Sequence, residues 1–188
     1  VILDAARELV LDGGPRAASV AAIAKASGAP PGTLYHRFGN RDGILMAAWL
    51  RALERFQTRA MAAHSETALE SAVAMAVAGI GFAREFPDDA RLLLTIRPGD
   101  LLDGQPDAAF RETLAAMNAP LNERIGALAR QLYGRSDRRS VDAVMRAVGD
   151  LPYAVIRRHA HDEPMPKWLE ADVAASARAV LERFGEHA

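Results

Sequence analysis

The sequence predicts an all-α protein of about nine helices, and three observations carry that expectation. Apolar residues recur at spacings of three and four, as in Ile2, Leu3, Ala6, Leu9 and Val10, and again in Ile44, Leu45, Ala48, Trp49, Ala52 and Phe56, which places them on one face of a 3.6-residue helix. The period-two alternation of a half-buried strand is sustained nowhere. Glycine and proline punctuation falls between segments of helical length, at Gly13-Gly14-Pro15, Gly39-Asn40, Pro87, Arg97 to Pro106, Gly134 and Asp162 to Pro166, where a helix cannot continue unbroken.

Composition bounds the possibilities. The 188 residues are 50% apolar, enough to bury a core in one domain or in one with a small appendage. An N-terminal domain over 1–46 and a second over 47–188 are expected. With no cysteine, disulfides, thiolate metal sites and cysteine nucleophiles are excluded. No apolar run approaches the roughly 20 residues of a membrane span. The longest, Ala72 to Ala83, is interrupted by Gly79 and Gly81, so a soluble, cytoplasmic protein without membrane partners is expected. The net charge of −1 gives no sign of a polyanion partner, although residues 1–50 hold five basic against four acidic side chains. Val1 has no preceding Met and reads as the interior of a helix, which implies that residues precede it.

The stretch Ser19 to Phe38, SVAAIAKASGAPPGTLYHRF, is the informative one. Ser19 suits an N-cap for a helix whose inner face is Val20, Ile23 and Ala24, and Gly28 suits its terminating turn. Pro30 and Pro31 suit the first turn of a second helix, where a missing N–H costs nothing. Gly32 and Thr33 keep the leading edge of that helix slim. Leu34 and Phe38, four apart, face inward, while Thr33, Tyr35, His36 and Arg37 are left pointing outward. This spacing predicts a helix-turn-helix, whose second helix must be narrow to enter the roughly 12 Å major groove. Asn40 suits the N-cap of the helix that follows.

From Ser19 to Leu45, with the preceding helix ILDAARELVLDGG, the sequence resembles the DNA-binding signature of the TetR family of bacterial one-component transcriptional regulators. That signature reads Thr/Ser, Ile-Ala, Ala-Gly-Val-Ser, Gly-Thr-Leu-Tyr, Phe, then a Lys and an apolar pair. The resemblance implies a ligand-responsive regulator, a repressor that binds a pseudo-palindromic duplex operator as a homodimer and releases it on binding a small, mainly apolar molecule. It implies that Ser19, Tyr35 and Arg41 contact phosphates and that Thr33 and His36 lie at base edges. Pro31 and Gly32 would form the slim leading edge. Pro30-Pro31 stands where the family usually has Ser and a polar or basic residue, and Arg37 replaces a common His with a permanent cation. The bland alternatives are a packing role for Tyr35, a solvent role for His36 and an ordinary surface charge for Arg41.

No cofactor, metal site or catalytic constellation is expected. His159 and His161 stand two apart, unlike the i, i+4 pair of a helical zinc site, and beside Asp162 and Glu163 they read as a polar helix end. Asp88 and Asp89 follow Pro87 at a helix start, where acids complement the helix dipole. The middle of the chain offers Met75, Phe82, Phe86, Phe110, Met117, Leu121 and Tyr153 as candidates to line an adaptable effector pocket. The last two long helices carry the stripes Val141, Val144, Val148, Val155 and Leu169, Val173, Ala177, Val180, Leu181, Phe184. These would build a four-helix interface across a two-fold axis, unless both merely pack inward. A helical enzyme and a protein-binding adaptor remain the readings of a different class.

Overall fold

The computed structural model describes residues 1–97 and 108–186; from Pro98 onward, the loop expected at Arg97 to Pro106 lies outside the described residues. Among the described residues the chain forms nine helices and no strand. They are α1 (Ile2–Gly13), α2 (Val20–Ser27), α3 (Pro31–Phe38), α4 (Arg41–Ala62), α5 (Ala68–Glu85), α6 (Pro87–Thr95), α7 (Ala108–Tyr133), α8 and α9 (Leu169–Glu186). Helix α8 has three parts, Arg138–Met145, a π-helical segment Arg146–Asp150, and Leu151–His159. Pro152 accounts for the π segment: it lacks an N–H, and its ring clashes with the carbonyl four residues back, so the backbone widens just before it.

The chain forms two compact units. The first holds Val1–Glu54 together with Phe86–Ala115. No break falls at the boundary expected after residue 46, because α4 runs through it to Ala62. The core of this unit gathers Val10, Ile23, Leu34, Ile44 and Leu45 with Leu92, Ile96 and Phe110. Burial of each such side chain contributes roughly 1.5–3 kcal/mol.

A polar contact crosses that core. Asp89, in the first turn of α6, is 1% exposed and accepts a 2.5 Å hydrogen bond from Arg7 Nη1 on α1. Asp88 lies 3.9 Å from the same guanidinium. Burial pulls the Arg7 pKa down, but the hydrogen bond and the charge of Asp89 more than reverse this, and the net shift is upward. The acidic pair does more here than complement a helix dipole, because Asp89 ties α6 to α1.

The second unit holds Arg55–Glu85 and Ala116–Ala188. Its core is built from Ile80, Ile125, Val144, Leu169, Val173 and Leu181, with α9 lying along α5. Arg124 closes the end of α4 by donating to the carbonyls of Ala60 at 3.0 Å, Met61 at 2.6 Å, and Ala63. A cation there also complements the helix C-terminus. Tyr133 donates its hydroxyl proton to the Leu181 carbonyl at 3.0 Å and fastens the end of α7 to α9.

Removing one partner of a buried ion pair leaves a charge without compensation. Asp89→Asn should therefore destabilise the protein by about 3 kcal/mol, with Asp88 retaining part of the attraction. Urea unfolding of the two proteins measures the difference, and a loss below about 0.5 kcal/mol, as for an ordinary surface change, would contradict a buried pair.

Candidate nucleic-acid interface

The sequence places α3 through capping at both sides. Ser19 Oγ accepts from the Ala22 N–H at 3.1 Å, which starts α2. Gly28 ends α2 at φ 70°, a left-handed conformation that glycine adopts at no steric cost. Pro30 is the N-cap of α3 and Pro31 its first residue. Asn40 Oδ1 then accepts from the Gly43 N–H at 2.8 Å and caps α4, as the sequence suggested.

Helix α3 is eight residues long. Leu34 is fully buried, Phe38 is half-buried, and Pro31, Gly32, Thr33, Tyr35, His36 and Arg37 are exposed. Tyr35 is 55% exposed, so it is no packing aromatic. Apart from its chain neighbours and the helix's own backbone, nothing lies within 4 Å of where a Cβ would stand on Gly32, and the leading edge of the helix is open. The Arg37 guanidinium stacks 5.2 Å from the Phe38 ring centroid, which holds it near the helix end. A short helix with one buried side, a slim leading end and a polar outer row has the features of a DNA-reading helix-turn-helix.

Ser19 is exposed at the start of α2, its oxygen engaged in the cap. Arg41 is placed differently from the phosphate contact that the resemblance implied. Its Nε donates to the Ala18 carbonyl at 3.2 Å, Nη2 to the Pro15 carbonyl, and Nη1 to Asp42 at 2.6 Å. It thus ties the first turn of α4 to the turn that precedes α2.

The seven residues expected around an effector pocket are divided between the two units. Phe110 packs in the first unit's core, with its ring 6.3 Å from Trp49, and Phe86 belongs to the same unit. Met75 and Phe82 are core residues of the second unit, Met117 and Leu121 are half-buried there, and Tyr153 is exposed. None of the seven lines either of two surface cavities in the second unit. One, of about 570 Å³, is bordered by Met61, His64, Pro120, Arg124 and Leu128. The other, of about 550 Å³, lies between α8 and α9.

The stripes assigned to a dimer surface turn inward. Val144, Val148, Leu169, Val173, Ala177 and Leu181 are buried in this chain's own core, and Val141, Val155 and Val180 pack half-buried against it. Phe184 is half-buried, edge-on to Tyr133 at 4.8 Å. A helix has one strongly apolar face, and here the second unit's own core uses it.

Comparison with known proteins narrows the class. Residues 2–48 match the family described as bacterial regulatory proteins, tetR family. A 60-residue stretch is 43% identical to the HTH-type transcriptional regulator UidR of Escherichia coli (strain K12), covering 30% of this chain and 31% of that protein. The TetR family transcriptional regulator PfmR from Thermus thermophilus has the same fold, with a TM-score of 0.73 and 23% identity over 96% of this chain and 97% of that one. A putative TetR-family regulator from Rhodococcus sp. aligns with a TM-score of 0.70 at 19% identity, over 96% and 95% of the two chains.

Two residues that support α3 escaped the sequence reading. Asp89 gave no signal beyond its helix-start position. Gly43 carried no signal, yet a Cβ there would stand 1.9 Å from the Phe38 carbonyl oxygen, so the glycine allows α4 to begin against the end of α3. Gly43→Ala should destabilise the first unit by about 1–3 kcal/mol through overpacking, whereas Gly32→Ala should not. Thermal unfolding of both variants checks this, and equal stabilities would show that the close approach does not constrain the turn.

Proposed function

We propose that the protein is a cytoplasmic transcriptional regulator that reads a pseudo-palindromic duplex operator with α3 and is switched by a small molecule. The observation that carries this reading is the outer row of α3, Thr33, Tyr35, His36 and Arg37, all exposed on a helix whose inner side chain Leu34 is fully buried. The match over 2–48 supports it. Tyr35, Ser19 and Arg37 serve phosphates and set the register, while Thr33 and His36 face base edges. Arg41 is the positioning residue that holds the turn. The second unit's cavity bordered by Met61, Pro120 and Leu128 with His64 and Arg124 supports an effector that is partly apolar and of metabolite size. Repression is the expected sense, with release of DNA by any effector that prefers the DNA-free form.

Two-fold symmetry of the operator calls for a homodimer. We place its interface on the outward face of α8 and α9, which exposes Tyr153 and the small residues Ala154, Ala171 and Ala175. Small side chains let helices of two copies approach closely, and an exposed aromatic supplies contact area.

Selection from a random duplex pool at low salt should yield an inverted repeat with half-sites one helical turn or more apart. A pool that yields no repeat contradicts the proposal. On the selected site, Tyr35→Phe should weaken all sequences alike, and Thr33→Ala should change preference at one or two base pairs by roughly 1–3 kcal/mol. Ala175→Arg should give folded monomers in sedimentation, because a long cation would have to be buried between the copies. A folded dimer would move the interface off this face.

A further inference from the structure

The cavity between the start of α8 and the end of α9 has a chemistry that the DNA reading does not use. It is an open surface groove of about 550 Å³, lined by Arg139, Ala143, Arg146, Ala179, Val180, Arg183 and Phe184. Three guanidinium groups therefore stand around a floor made only of apolar side chains, and among the described residues no carboxylate lines it. Two nearby acids already have partners. Asp137 caps α8 by accepting from the Arg139 and Ser140 N–H groups at 3.0 Å and meets Arg135 at 3.2 Å. The hydrogen bonds from Ser140 hold the Asp137 carboxyl below its ordinary pKa. Asp142 meets Arg146 at 3.2 Å on the same helix. Arg139 and Arg183 have no carboxylate partner among the described residues.

The floor is preorganised. The Phe184 ring is held edge-on to Tyr133 at 4.8 Å, and the guanidinium carbons of Arg139 and Arg135 lie 5.5 and 6.0 Å from its centroid. Ala143 and Ala179, being small, leave room between the helices where larger residues would fill it. A neutral apolar ligand entering here would strip water from cations without replacing it, which is costly. A carboxylate replaces that water with charge-assisted, bidentate hydrogen bonds, and an attached apolar body covers Val180 and Phe184.

We infer that this cavity is a binding site for a free amphiphilic organic anion, with the acid head on Arg139 and Arg183 and the apolar body on Ala179, Val180 and Phe184. The site is separate from α3 and stands whether or not the chain binds DNA. Arg146, already paired with Asp142, tunes the head-group position more than it supplies the charge. The volume suits a single-tailed or one-ring acid and is smaller than a two-tailed lipid would require.

The test is calorimetric titration of the whole protein with three probes of equal tail length, decanoate, decanol and decyltrimethylammonium, each below its aggregation threshold. Decanoate should bind at one site per chain, and the neutral and cationic probes should bind at least about tenfold more weakly. Arg183→Glu and Arg139→Ala change exposed residues, so folding should persist, and each should weaken decanoate by about tenfold or more while leaving the unfolding temperature of the ligand-free protein unchanged. Equal binding of the three probes, or undiminished decanoate binding by Arg183→Glu, would overturn the inference. So would unaltered decanoate affinity combined with loss of the dimer in sedimentation, which would assign the cavity to a second copy. Failure of the duplex selection would leave the decanoate result standing, so the two readings fail separately.

Discussion

An eight-residue helix has almost no stability of its own, since nucleation is unfavourable and too few hydrogen bonds follow to offset it. α3 therefore exists only while its inner face is held, and the rest of the first unit is arranged around that requirement. Leu34 enters the core beside Ile23, Ile44 and Leu45. The glycine at 43 lets α4 start against the Phe38 carbonyl, and Arg41 binds the same turn to the segment before α2. With the inner side so fixed, the outer residues are free of structural duty and their identity can answer to a partner.

The same logic explains why a polar pair is tolerated in the core. Arg7 and Asp89 join segments 82 residues apart in sequence, and Asp89 is withdrawn from water. Such a pair is weak as a source of net stability compared with an apolar replacement, but it is costly to break from one side. It specifies which turn of α6 faces α1. Because α1 and α2 share a core with α3, the position of α6 bears on the helix proposed to read DNA.

The helix-turn-helix was legible in the sequence because its determinants are local. Ser19, Gly28, Pro31 and Asn40 act within three or four residues of themselves, and Leu34 with Phe38 declares a face by spacing alone. Long-range facts were not legible. The stripes of Val144, Val148, Val173 and Leu181 identify an apolar face, but periodicity does not say whether that face meets the same chain or another. Met75, Phe82, Phe86 and Phe110 have pocket-like chemistry, yet the fold assigns them to two different units. Gly43 carried no signal, because its constraint comes from a carbonyl five residues back, through a turn whose closeness no pattern encodes.

The central claim is that α3 enters the major groove, and dimethyl sulfate reads that groove directly, because it methylates guanine at N7. On duplex DNA selected by the protein, the account predicts that guanines in both half-sites are protected when protein is bound. With Thr33→Ala and His36→Ala at saturating concentration, that protection should be lost at particular guanines, while phosphate contacts keep the complex together. Bound DNA whose half-site guanines remain as reactive as free DNA would contradict major-groove reading by α3.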